Sequence, residues 1–280
     1  MPKTLVLAVA VLLHLAAPPP GAAQDGDPYD LVIAGGRVVD PETGFDDVAN
    51  VGVRDGRVAT VTFDPLDGRR TLDAGGLVVA PGFIDPLTSV GAAQLPGARY
   101  KVTDGVTTVL ALHGGPVDVA GLYDRMAKEG ALLNYGTNVG HGALRRSVGL
   151  TAEDEEARSV VATAEQVDAI VEGARQGILD GALGIGFGLQ YVPSTREGEV
   201  FRLFELAASY GVPVHLHIRY LGPRRPANSV KAVQEVIATA AATGVSAQVV
   251  HVNSTSPRDH DLVQELLEGA GVPLPSVAAE

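Results

Sequence analysis

The segment "GLVVAPGFIDPLTSVG", residues 76–91, is where the pattern of the sequence changes. Before Pro81, short apolar runs alternate with turn signals, among them Asp55-Gly56, which is typical of a two-residue β-hairpin. After Gly82, strand-like runs alternate with amphipathic helical stretches. The sequence therefore predicts a small antiparallel β unit followed by a larger α/β domain.

The larger domain is predicted to contain six strands, each separated from the next by a turn and a helix. The strand candidates are residues 82–87, 105–113, 134–141, 181–189, 213–220 and 246–254. Strands that alternate with helices pair in parallel through right-handed crossovers, which predicts a (β/α)8 barrel with about six of its eight strands inside these 280 residues. A doubly wound sheet is the alternative, but no glycine-rich nucleotide fingerprint follows an early strand.

Two of the helical stretches carry clear end signals. "TAEQVDAIVEGARQGILDGA" opens with a capping box from Thr163 to Gln166. "SVKAVQEVIATAAATG" closes at Gly244, which is the residue expected at a helix C-terminus. Both stretches are therefore predicted to be amphipathic helices that cover the strands.

Composition excludes several classes of function. The formal net charge is −12 and no basic run occurs, so nucleic acid and anionic membrane surfaces are poor partners. Aromatic residues make up 5% of the chain and tryptophan is absent, which gives a sugar-binding or adhesion module little support. Because the chain has no cysteine, thiolate metal ligands are also excluded.

The first residues have the pattern of a secretory signal. One early lysine precedes an apolar stretch, residues 4–17, and small residues end at Ala22-Ala23. This apolar stretch is shorter than the ~20 residues that a membrane helix needs. The sequence predicts a signal peptide over residues 1–23, a small β-sandwich segment over 24–80 and the barrel over 81–280, with a periplasmic or secreted location and no membrane attachment after cleavage.

Five histidines lie at or near the ends of predicted strands: His113, His141, His215, His217 and His251. In a barrel, the C-terminal ends of the strands meet at one face, where reactive groups collect. Neutral imidazoles that converge there bind divalent metals, commonly zinc. His215 and His217 share one strand face because side chains alternate with period two.

The ordered motifs resemble the amidohydrolase superfamily, and within it the D-aminoacylase and N-acyl-D-glutamate deacylase group. They are "YDLVIAGGRVVDPETG", "VGVRDGRVATV", "LDAGGLVVAPGFID", "DGVTTVLAL", "NYGTNVGHGALR", "GALGIGFGLQYVP", "HLHIR" and "VVHVNS". The resemblance implies a zinc-bearing barrel beside a small β-sandwich. It also implies hydrolysis of a small N-acyl amino acid to a carboxylate and a D-amino acid.

Carried over by motif, His217 and His251 match metal ligands on the fifth and sixth strands. Leu87 and Ser89 stand where the resemblance implies a His-x-His pair on the first strand. The bridging ligand after the second strand is also unmatched, and His113 is a candidate substitute because imidazole suits zinc. We therefore expect one zinc ion at most. Asp85 is either a ligand or a hydrogen-bonded turn residue.

The resemblance also implies substrate contacts at Tyr191, His141, Arg145 and Arg219. The alternative for Tyr191 is a half-buried side chain that only packs against its neighbours. Arg145 could equally pair with a substrate carboxylate or form a structural salt bridge. The catalytic residue is unassigned, because the implied eighth-strand aspartate lies beyond Glu280. Two hypotheses stay open: a zinc-dependent deacylase, and a non-catalytic relative or fragment that kept the barrel and lost the metal.

Overall fold

The computed structural model describes residues 28–151, 159–222 and 228–270. The predicted signal peptide, residues 1–23, lies outside the described residues. Contacts divide the chain into two units, one that runs to Pro81 and one that starts at Gly82. No helix within the described ranges combines the length and the apolar character that a membrane crossing requires.

The first unit is a five-stranded sheet. Its strands are β1 (Leu31–Asp40), β2 (Phe45–Arg54), β3 (Arg57–Thr62), β4 (Thr71–Asp73) and β5 (Val78–Val79). β1, β2 and β3 pair antiparallel. The prediction of an entirely antiparallel unit is wrong for the last run, since β4 and β5 both pair parallel with β1. The chain after β3 crosses back to the start of β1, where Tyr29 exchanges backbone hydrogen bonds with Asp67 and Arg69.

The predicted hairpin turn is confirmed. Asp55 and Gly56 join β2 to β3 with φ angles of 52° and 71°. Positive φ at both central residues is the geometry of a type I′ turn, whose twist matches that of the two strands. The core of this sheet is small and consists of Val38, Ala49 and Val51.

The second unit carries the six predicted strands in sequence order. They are β6 (Phe83–Asp85), β7 (Val106–Ala111), β8 (Asn134–Thr137) continued by β9 (Val139–Gly140), β10 (Ile185–Gly188), β11 (Val214–His217) and β12 (Ala247–Val249). Every neighbouring pair is parallel. Only Asn138 separates β8 from β9, so the two sheets form one succession of adjacent strands. This is the strand order of a (β/α) barrel, and the predicted fold class is confirmed.

Helices connect and cover these strands. They are α1 (Gly97–Thr103), α2 (Val119–Glu129), α3 (His141–Ser147), α4 (Ala164–Leu179), α5 (Glu197–Tyr210), α6 (Ser229–Thr243), α7 (Val252–Thr255) and α8 (His260–Gly269). The Thr163 capping box and the left-handed Gly244 at the end of α6 are both confirmed. These caps satisfy backbone groups that the helix ends would otherwise leave unpaired.

The main core lies between the strands and the helices. Ile185, Phe187, Val214 and Leu216 are fully buried in it, and the Phe187 ring contacts Phe204 of α5 at a centroid distance of 5.6 Å. Because strand residues alternate, the neighbours of these apolar residues point away from the helices. His215 and His217 are therefore left to the inner side of the strands.

Candidate functional site

Three histidines converge from the ends of three strands. His113 follows β7, His217 ends β11 and His251 follows β12. The rings of His113 and His251 lie 5.5 Å apart between centroids, and those of His217 and His251 lie 5.4 Å apart, both edge to face. We call His113, His217 and His251 the histidine triplet. The structure thus brings together the three residues that the sequence proposed as metal ligands, and ligation itself stays a prediction.

Glycines fix the segment that carries His113. A Cβ on Gly186 of β10 would lie 2.6 Å from the carbonyl oxygens of Leu112 and Gly114, and one on Gly115 would lie 1.8 Å from the Asn138 oxygen. Only glycine allows backbones to approach so closely. The His113 segment is consequently seated directly against the β8–β9 junction and β10.

His251 has an unusual backbone conformation. Its φ is 60° and its ψ is 33°, in the left-handed region that costs a non-glycine residue about 1–2 kcal/mol. The short helix α7 holds this conformation, because the His251 carbonyl accepts hydrogen bonds from the backbone N–H of Ser254 and Thr255 and from both hydroxyls. Backbone strain of this kind is concentrated at functional sites.

One ring nitrogen of His217 contacts a backbone carbonyl, which leaves the other as the candidate metal donor. Its Nδ1 lies 3.4 Å from the Ile218 carbonyl oxygen. A carbonyl only accepts, so Nδ1 carries the proton in this contact and Nε2 keeps its lone pair. Metal-binding histidines are oriented by such contacts of their second nitrogen.

Burial favours the neutral forms of His113 and His217. It lowers the pKa of both side chains, and the charge of a protonated His251 would lower both pKa values further, while the Ile218 carbonyl opposes the shift at His217. The Nδ1 atom of His113 is buried and has no hydrogen-bond partner. Neutral imidazoles with an uncommitted nitrogen are the donors that zinc prefers.

The triplet offers metal-binding donors but is not a preformed ligand set. In their described positions, no three or more His, Cys, Asp or Glu side chains of residues 28–151, 159–222 and 228–270 are arranged to hold a metal ion. Metal binding by the triplet would therefore need its side chains to reorient, and the features that favour an ion there are the imidazole donors, the unpartnered Nδ1 of His113 and the proximity of the rings. Leu87 and Ser89 offer no imidazole for a second one.

Asp85 has structural partners. Its carboxylate accepts a short contact from the Lys101 ammonium and a hydrogen bond of 3.2 Å from the Leu87 N–H. Of the two predicted roles, these contacts favour the hydrogen-bonded turn residue.

Tyr191 lies beside the triplet. It ends the 3₁₀ turn Leu189–Tyr191 after β10, and its ring meets that of His217 edge to face at 5.3 Å. The side chain is 52% exposed. Its position leaves the phenol accessible next to the triplet, as the predicted substrate contact requires.

His141 and Arg145 form a buried network. Glu199 of α5 accepts hydrogen bonds from His141 Nε2 at 2.7 Å and from Arg145 Nη1 at 2.7 and 2.9 Å. All three residues are at most 3% exposed. Burial lowers the pKa of His141, with Glu199 opposing the shift, whereas His141 and Arg145 overcome the effect of burial and lower the pKa of Glu199. For Arg145 these contacts favour the salt bridge of its two predicted roles, and substrate contact by either residue stays a prediction.

Arg219 is also committed to structure. Its Nε and Nη2 donate to the two oxygens of Glu235 at 3.0 and 2.6 Å, and Nη1 donates to the carbonyls of Pro193 and Thr195. The side chain is 5% exposed. Arg219 thus connects the segment after β11 to α6, and its predicted substrate contact stays untested.

His215 is held by a residue that sequence reasoning missed. Asn138, at the β8–β9 junction, donates from Nδ2 to His215 Nδ1 at 2.9 Å and makes a short contact with the Leu112 carbonyl. Burial lowers the pKa of His215 to about 4. Asn138 thus links β11 to the His113 segment, a role for which the sequence carries no local signal.

Known proteins share this fold and sequence. No family model matches the chain. It is 29% identical to N-acyl-D-glutamate deacylase of Alcaligenes xylosoxydans xylosoxydans over 81% of its length, and 28% identical to D-aminoacylase of the same organism over 70%. Those alignments cover 51% and 45% of the relatives, so the chain spans about half the length of the curated relatives it matches.

Solved structures give the same result. The zinc and phosphonate complex of N-acyl-D-glutamate deacylase from Bordetella bronchiseptica matches with a TM-score of 0.75 and 24% identity, over 89% of this chain and 58% of that one. A D-aminoacylase structure concerned with its binuclear metal centre matches with a TM-score of 0.71 and 24% identity, over 87% and 56%. The chain is thus similar in sequence and fold to N-acyl-D-glutamate deacylase and D-aminoacylase.

Proposed function

We propose that the protein is a metal-dependent hydrolase of a linear amide C–N bond, and that it converts an N-acyl-D-amino acid to a carboxylate and a D-amino acid. The observation that carries the proposal is the convergence of His113, His217 and His251 from the ends of three strands. The names of the homologous deacylases support the reaction class. At 29% identity they support the particular acyl group and amino acid only distantly.

The triplet would hold one zinc ion. D-aminoacylase is described as having a binuclear centre in which one metal activates and the second attenuates, so a single ion is compatible with this chemistry. When bound, zinc supplies a Lewis acid that polarises the amide carbonyl and lowers the pKa of water.

The chain's own residues have separate tasks in this proposal. Burial favours the neutral imidazoles of His113 and His217, and the Ile218 carbonyl orients the His217 ring. The Tyr191 ring lies beside His217 and is half exposed, and in this proposal its hydroxyl would donate a hydrogen bond to the bound amide. The proton-transfer group stays unassigned.

The alternative is a non-catalytic binding protein with the same fold. Leu87 and Ser89 in place of two metal ligands favour it, since loss of direct ligands weakens metal affinity. The described residues also hold no preformed ligand set of three. The two candidates differ in whether a stoichiometric metal ion accompanies hydrolysis.

The deciding experiment joins metal analysis to a deacylase assay. The purified protein, reconstituted with zinc, is tested for release of D-amino acids from N-acetyl-D-glutamate and other N-acetyl-D-amino acids. We expect hydrolysis, and we expect a chelator to abolish it. His217→Ala and His251→Ala are expected to lose the activity, whereas His260→Ala in α8 is expected to retain it. Stoichiometric binding of the substrates without turnover would favour the binding protein.

Export to the periplasm or the medium is a further part of the proposal, and it rests on the signal pattern of residues 1–23. Cell fractionation with N-terminal sequencing tests it. A mature protein that starts near Gln24 in the exported fraction is expected, and an unprocessed cytoplasmic chain would contradict it.

A further inference from the structure

A cavity of about 550 Å³ lies next to the triplet in the second unit. The segments 87–90 and 113–116 form two of its walls, and Ala111, Leu122 and Thr137 complete the lining. None of the lining residues is Asp, Glu, Lys or Arg, and His113 is the one lining residue that also belongs to the triplet. The volume is in the range of cavities that hold small-molecule ligands.

Backbone hydrogen bonds build this cavity. The Thr88 N–H donates to the Leu110 carbonyl at 3.0 Å, and Leu87 forms an isolated antiparallel bridge with Ala111 at the end of β7. The residues that stand in place of the implied His-x-His pair are therefore held against the strand that leads to His113. The substitutions exchange metal-binding side chains for an apolar and a small hydroxyl side chain beside the triplet.

We propose that this cavity receives the acyl arm of the substrate, and that the preferred substrates carry apolar acyl chains longer than acetyl. The inference rests on the proposed function. Water adds its hydroxyl to the acyl carbon as the amide C–N bond breaks, and its proton passes to the departing nitrogen. The acyl arm leaves as a carboxylate and the other arm leaves as an amine.

The amino-acid arm does not suit this cavity. Its carboxylate would enter a lining without a cationic side chain, and burial of an unpaired charge is strongly unfavourable. The two arginines that the resemblance implied as substrate contacts are already paired, Arg145 with Glu199 and Arg219 with Glu235. An apolar chain against Leu87, Val90 and Leu122 has no such cost.

The test compares acyl chain lengths on one D-amino acid. Each methylene buried in an apolar site is worth about a fourfold gain, so kcat/KM for an N-hexanoyl substrate is expected to exceed that for N-acetyl by at least about tenfold. Leu87→Gln, similar in size but polar, is expected to abolish this preference, and Leu87→Trp, which fills the cavity, to reverse it. Leu262→Gln at a 48% exposed position of α8 is the matched control.

A second measurement separates this inference from the proposed function. Calorimetric titration of the metal-free protein with sodium hexanoate and sodium acetate needs no turnover. If the protein binds hexanoate, Leu87→Gln weakens this binding and no substrate is hydrolysed, the cavity is an acyl-binding site but the proposed deacylase activity is rejected. Two results would overturn the cavity's role without affecting the proposed deacylase activity. One is hydrolysis of the N-acetyl and N-hexanoyl substrates with equal kcat/KM. The other is a preference for the N-hexanoyl substrate that Leu87→Gln and Leu87→Trp both retain.

Discussion

The substitution Glu199→Gln tests whether the buried network of His141, Arg145 and Glu199 is structural. Glu199 accepts hydrogen bonds from both partners and is 3% exposed, and the Arg145 side chain is 2% exposed. Glutamine keeps the size of the side chain but removes its negative charge. The Arg145 guanidinium would then remain buried without its counter-charge.

The expected loss is large for a single isosteric change. Removing one partner of a buried ion pair costs about 3–5 kcal/mol, because the remaining charge cannot return to water. With a urea m-value of about 2–3 kcal/mol/M, the unfolding midpoint is expected to fall by about 1–2 M. The double variant Arg145→Met/Glu199→Leu removes both charges and is expected to recover most of this loss.

Urea unfolding followed by circular dichroism measures these shifts. Glu172→Gln is the matched control, since Glu172 of α4 pairs with Arg175 at an exposed site and such pairs contribute little. A midpoint for Glu199→Gln that equals the control, or a double variant less stable than Glu199→Gln, would refute this account of the network.

Three further predictions concern the site and its support. Gly186→Ala places a Cβ 2.6 Å from facing backbone atoms. It is expected to destabilise the protein by about 1–3 kcal/mol and to reduce zinc retention. Gly198→Ala is the control, since its Cβ would meet no atom within 4 Å, and it is expected to have neither effect. Because burial lowers the pKa of His141, the unfolded chain binds more protons than the folded chain below the ordinary histidine pKa of about 6.5. Stability is therefore expected to decrease as the pH is lowered through this range, and His141→Gln is expected to reduce that slope in urea titrations. Leu87→His/Ser89→His restores the implied His-x-His pair and is expected to raise bound zinc, measured by mass spectrometry, toward about two ions.

The sequence predicted the barrel order and the triplet because both depend on regular geometry. Parallel strands end at a common face, and strand side chains alternate with period two. A correct strand order is therefore enough to bring the histidine triplet together at one face. The parallel pairing of β4 and β5 with β1 was missed because a crossing loop, rather than a strand pattern, decides it.

The roles of His141, Arg145 and Arg219 could not be predicted in the same way. Their carboxylate partners lie 58, 54 and 16 positions away, on helices whose rotation decides which face is buried. The left-handed backbone of His251 and the close approach at Gly186 also depend on tertiary contacts. Each of these features follows from packing between elements, which a local pattern does not contain.

The most direct test of the central claim is the zinc content of the purified protein after dialysis against a zinc buffer. The account predicts about one ion per chain, held by neutral imidazoles, and a loss of that ion in His113→Ala, His217→Ala and His251→Ala. His260→Ala is expected to keep it. Zinc below about 0.1 per chain, or content unchanged in the three triplet variants, would contradict the claim that the triplet is a metal site.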